Sequence, residues 1–232
     1  LIARDWYRFA EFDRSLKNYQ HGKKTFLCYA LGRTNTRSYR TIFLKKCKEL
    51  GIYNHIQTES FDNSTVDSNS SAIYNSRDIT DTDISIVLET TFDERIHLTE
   101  KTLRPIACGQ PFIIANGPFT LEFLKKYGYK TFHPFINEAY DQEINNEKRL
   151  SMIANEMQRI TNLPEKDKTK IIEKCNTVAE YNKKLFFSKE FLNQIIDELS
   201  KNINVCLDEA VYTMDYKFKR NILRSTLKIN PE

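Results

Sequence analysis

With 232 residues, a 40% hydrophobic content and 35 basic against 31 acidic side chains, the chain has the composition of a globular domain with a substantial core. A formal net charge of +4 does not by itself argue for nucleic-acid binding, and no apolar run approaches the roughly 20 residues of a membrane helix. The chain opens with no secretory signal pattern, and its five cysteines are odd in number and widely spaced, which predicts free thiols in a reducing, cytoplasmic setting rather than a disulfide framework.

Residues 1–24 carry Trp6, Tyr7, Phe9, Phe12 and Tyr19 among many charges and read as a linker or the tail of a preceding domain. Phe26–Leu31 reads as a first strand, Ser38–Leu50 as a helix ended by Gly51, and Ile52–Thr58 as a second strand. Between Glu59 and Asp83 the composition shifts to Ser, Asn, Asp and Thr, the pattern of a long polar loop that serves a site or moves. Asp81-Thr82-Asp83 has the D-x-D form in which two carboxylates can hold a divalent cation. It precedes a strand rather than following one, so it falls at the wrong end of a parallel sheet and no metal is expected.

Ile84, Ile86, Val87 and Leu88 form a β-branched run suited to a buried parallel strand, and the run ends on Glu89. Thr99 reads as the N-cap of a helix that closes at Gly109, with Glu100 and Lys101 in its first turn. A lysine there opposes the helix dipole unless an anion lies against the helix start, where unpaired backbone N–H groups favour phosphate. Pro111–Ile114 is the next strand, Phe119–Tyr127 a helix with Gly128 behind it, and Tyr129–Phe132 one more short strand. Beyond it, Leu150, Ile153, Ala154, Met157 and Ile160 follow helical spacing, as do Leu192, Ile195, Ile196 and Leu199, and both stripes read as core. Val205–Leu227 reads as a terminal helix. Alternating strands and helices followed by helices predict an α/β fold with a Rossmann-like parallel sheet and a helical C-terminal region. The expected organisation is a tail over 1–24, a Rossmann-like domain over 25–144 and a helical region over 145–232.

The block from Glu89 through Thr99-Glu100-Lys101, Ala107-Cys108-Gly109 and Pro111–Ile114 resembles the donor-binding half of alpha-1,3-fucosyltransferases and related viral and bacterial glycosyltransferase-like proteins. The resemblance runs over about Thr25 to Asp141 and implies the C-terminal half of a GT-B type glycosyltransferase. It assigns the donor ribose to Glu100 and the diphosphate to Lys101. An arginine opening the first helix falls on Arg40, with Arg37 as the neighbouring candidate. The family's E-N-S is Glu89-Thr90-Thr91 here, which keeps hydroxyls and loses an amide.

The implied activity is metal-independent transfer of a sugar from a nucleotide-diphosphate sugar to an acceptor hydroxyl of a glycan, a protein or modified DNA, with no cofactor beyond the donor. In that family the general base lies in the other domain, which would precede Leu1 or be reduced to residues 1–24. Two other readings stand beside it: an inactive nucleotide-binding or structural module of a larger viral or bacterial assembly, and a phage DNA-modifying glycosyltransferase. Residue by residue, simpler readings also stand. Glu89 could cap the loop after its strand, Arg40 could be a surface or salt-bridged arginine, and Glu100 and Lys101 an ordinary exposed helix start.

Overall fold

A computed structural model describes residues 22–30, 37–58 and 76–213. Strands β1 (Lys24–Leu27), β2 (Ile56–Gln57), β3 (Thr82–Leu88) and β4 (Phe112–Ala115) form one parallel sheet in the order β2-β1-β3-β4. Phe26 pairs with Ile56 on one side and Ile84 on the other, and Ile86 with Ile113. All seven residues of β3 are buried, because the strand has a neighbour on each edge and packing on both faces.

The helices are α1 (Tyr39–Glu49), α2 (Ser76–Thr80), α3 (Glu100–Cys108), α4 (Thr120–Lys126), α5 (Asn146–Thr161), α6 (Glu165–Phe186) and α7 (Lys189–Thr213). From β1 the chain steps outward to β2, then returns past β1 to β3 and on to β4. Right-handed crossovers therefore place α1 on one face and α2 and α3 on the other. The packing follows this division, with α5 against α1 and β4, and α6 against α3. The architecture is α/β and Rossmann-like, followed by C-terminal helices, as the alternation of elements predicts. The chain divides into two compact units, one running to Phe191 and one from Leu192, so α5 and α6 belong to the same unit as the sheet.

Several elements differ from their expected form. β2 is confined to Ile56–Gln57 because Tyr53–His55 is a 3-10 turn, started by Ile52 N–H donating to Cys47 O and closed by His55 N–H donating to Ile52 O. Tyr129–Phe132 is not a strand. The Asn182 amide takes the N–H and C=O of Lys130 at 2.9 and 2.8 Å, and Glu138 Oε1 accepts from Phe132 N–H, so side chains have replaced a neighbouring strand. The polar stretch after residue 58 ends in α2 and the start of β3, while 59–75 lie outside the described residues. Asp81 pairs with Lys23 and Asp83 accepts from Gly22 N–H, both at the amino end of the sheet. The first helical stripe is core throughout, with Ile153, Ala154, Met157 and Ile160 fully buried. The second is not, since Ile195 is buried while Ile196 and Leu199 are half exposed. The expected tail before Gly22 and the stretch after Thr213 lie outside the described residues.

Candidate functional site

In a parallel sheet of this order the chain reverses direction between β1 and β3, and open α/β sheets bind ligands at the carboxyl ends of the strands flanking such a point. Here that place holds a small cleft of about 30 Å³, room for one or two waters, between the end of β1, the body of β3 and the first turns of α3. Leu27, Tyr29, Lys101, Arg104 and Pro105 are among its lining residues. Lys101, Arg104 and Pro105 are one helical face, being three and four residues apart. The Arg104 guanidinium lies 5.4 Å from the centre of the Tyr29 ring, and the Tyr29 hydroxyl donates to Asp78 Oδ2 at 2.7 Å.

Glu89, which directly follows β3, is fully buried. Its carboxylate accepts four hydrogen bonds: Thr99 N–H at 3.0 Å, Thr99 Oγ1–H at 2.5 Å, Thr102 Oγ1–H at 2.6 Å and Thr90 N–H at 3.2 Å. A carboxylate so surrounded has no lone pair left for a ligand hydroxyl. Glu89 therefore fixes the start of α3.

Thr99 caps α3 from extended backbone, its Oγ1 accepting Lys101 N–H, and Gly109 closes the helix in the left-handed region at φ 71°. Glu100 and Lys101 pair with each other in the first turn, and Lys101 Nζ also reaches Thr90 Oγ1 at 3.3 Å and Thr99 Oγ1 at 3.4 Å. Burial pushes the Glu100 carboxyl up, but the charge and hydrogen bond of Lys101 outweigh it and hold the group below the usual glutamate range. The pair is partly buried yet reachable, with Lys101 side-chain exposure of 24%.

Arg40 is buried at 1% exposure. Its Nη2 donates to Leu88 O at 2.7 Å and Glu89 O at 3.0 Å, and the Tyr39 hydroxyl donates to the same Glu89 carbonyl. Burial pushes the Tyr39 phenol well above its ordinary range, so it remains a donor. Arg40 thus caps the end of β3 from the opposite face. Arg37 lies half-buried just ahead of α1 and makes no hydrogen bond to this network among the described residues.

The loop from Thr90 to Leu98 is held at both ends. Phe92 stacks on Tyr39 with ring centres 4.7 Å apart, and the buried Arg149 lies 4.6 Å from the centre of the Phe92 ring while donating to the carbonyls of Asp93 and Glu143. Asn116 accepts from His97 N–H and donates to His97 O. Gly117 lies so close to the loop that a Cβ would sit 2.3 Å from Arg95 O. Asp141 serves α4, accepting Leu121 N–H on Oδ1.

The structure thus brings Glu89, Thr99, Glu100 and Lys101 together, with Arg40 behind them. Arg104 and Tyr29 at the cleft, and Thr102 on the Glu89 carboxylate, carry weight that the motif reading did not assign. Arg104 was within reach of sequence reasoning, being one turn after Lys101 in a helix whose start is marked by Thr99. Among the described residues no group of three or more His, Cys, Asp or Glu could hold a metal ion, and no helix is long and apolar enough to cross a membrane. No family model, curated protein or solved structure matches the chain.

Proposed function

We propose that this domain binds the donor of a glycosyltransferase, a nucleotide-diphosphate sugar, at the carboxyl ends of β1 and β3. The observation that carries the reading is the Glu100–Lys101 pair in the first turn of α3, beside a cleft at the point where the sheet changes direction. Lys101 would neutralise charge on the leaving diphosphate as the anomeric bond breaks, with the start of α3 behind it. Glu100, held ionised by its neighbour, would accept hydrogen bonds from the ribose hydroxyls. The cleft is too small to enclose a nucleotide, so the donor would lie across its mouth, and an acceptor-binding domain facing it would supply the general base.

Titrating the chain calorimetrically with UDP, GDP, CMP and their sugar conjugates tests this reading. The expected outcome is one preferred nucleotide with saturable binding. Lys101→Ala should weaken it by about 1 to 3 kcal/mol, the size of a lost charge-assisted contact, without loss of fold. A well-folded protein that binds none of them overturns the proposal.

A second reading, a module that binds the nucleotide without transferring the sugar, is favoured by the inward use of Arg40 and Glu89, both committed to holding the backbone. Binding without donor turnover by the full-length protein would select it.

A further inference from the structure

Between Ile196 and Cys206 the C-terminal helix exposes an apolar seam. Along α7, Ile196 is 49% exposed, Leu199 47% and Ile203 50%, and Cys206 is exposed as well. These positions, with Leu192 before them, are separated by four, three, four and three residues, the alternation of a heptad seam rather than of a globular core stripe. In that register the a positions are Ile196 and Ile203, and the d positions are Leu192, Leu199 and Cys206. β-branched residues at a with leucine at d favour two parallel strands.

The flanks agree with a copy of the same helix as occupant. Asn193, Ser200 and Asn202, which border the seam, are uncharged and exposed, so two parallel copies bring no like charges together. The charged residues Asp197, Glu198 and Lys201 lie off the seam. Over Lys189–Cys206 three acidic residues face two basic ones, the wrong balance for an anionic lipid surface. An exposed row of isoleucine and leucine, bordered by the buried Ile195 and by the polar Asn193, Ser200 and Asn202, marks an interaction face rather than ordinary surface.

We propose that α7 is a self-association helix, pairing in parallel and in register with α7 of a second copy of this chain through Leu192, Ile196, Leu199, Ile203 and Cys206. The seam is short, so the pairing is concentration-dependent. It is independent of the nucleotide reading.

Sedimentation of the full chain over a wide concentration range, with a short bis-maleimide cross-linker in parallel, tests it. Cys206 is the exposed thiol and sits at a d position, so in-register helices place the two Cys206 thiols side by side. The expected result is a monomer–dimer equilibrium and a cross-linked dimer. Cys206→Ser should abolish the cross-link. Ile203→Asp, at a half-exposed position where the monomer fold is indifferent, should abolish the cross-link and shift the equilibrium to monomer. A monomer at every concentration overturns the proposal. So does a dimer that fails to cross-link through Cys206, or one unaffected by Ile203→Asp.

Discussion

Glu89 shows how one carboxylate can lock a strand end to a helix start. It joins the end of β3 to the N-cap and the first turn of α3, so the position of Lys101 depends on it through Thr90 and Thr99. Glu89→Ala would leave the Thr99 and Thr90 N–H groups and two hydroxyls facing a void. A loss of about 3 kcal/mol in urea unfolding is expected, the scale of buried polar groups left unpaired. Glu138 has the opposite balance. Burial pushes its carboxyl above the ordinary range, against the Thr131 and Phe132 hydrogen bonds and nearby Lys125 and His133 charges. A raised carboxyl favours folding below the unfolded pKa, where both states are protonated, and that advantage is lost as pH rises through the folded value. Glu138→Gln keeps an acceptor for Phe132 N–H without the charge. It should therefore raise the melting temperature at neutral pH, by an amount that shrinks to nothing as the pH falls below the ordinary glutamate pKa.

Among the elements, the loop between β3 and α3 is the most constrained, although its sequence has the composition of an ordinary turn. Gly117→Ala would set a Cβ against the Arg95 backbone, where no flexible side chain can give way. A destabilisation of about 1 to 3 kcal/mol is expected from such overpacking, together with displaced amide resonances over residues 93–97 and weakened nucleotide binding. The elements that sequence reasoning placed well are those governed by local chemistry. The Thr99 cap, the αL glycine at 109, the buried run of β3 and the stripe of α5 are each written in a few neighbouring residues. What escaped depends on partners distant in sequence. Tyr129–Phe132 has strand-like composition, but Asn182 and Glu138 claim its backbone, and nothing local announces that. The carbonyls that Arg40 holds lie 48 and 49 residues away, and its neighbours in sequence do not announce them either. The stripe of Leu192, Ile195, Ile196 and Leu199 was read as core for a related reason: helical spacing alone does not say which apolar residues find a partner, and only Ile195 of the last three is buried.

For the unit that runs to Phe191, the packing of α5 on α1 and of α6 on α3 makes these two helices part of one cooperative body with the sheet rather than an appendage. The cysteines supply the reporters that decide this. Cys28 follows β1, Cys47 lies in α1, Cys108 in α3 and Cys175 in α6, and all four are buried. Burial pushes the Cys47 and Cys175 thiols up to about 12, so neither reacts at neutral pH until its surroundings open. In native buffer a thiol reagent should modify Cys206 alone. In pulsed labelling across a urea gradient, Cys47 and Cys175 should become reactive at the same midpoint, because no local opening can expose α6 without uncovering α3 and the sheet beneath it. If Cys175 reacted at distinctly lower urea than Cys47, the helices would be a separately folding region. The candidate site would then rest on the sheet, α1 and α3 alone, and the hold of Arg149 on the loop after Glu89 could be released without unfolding the sheet.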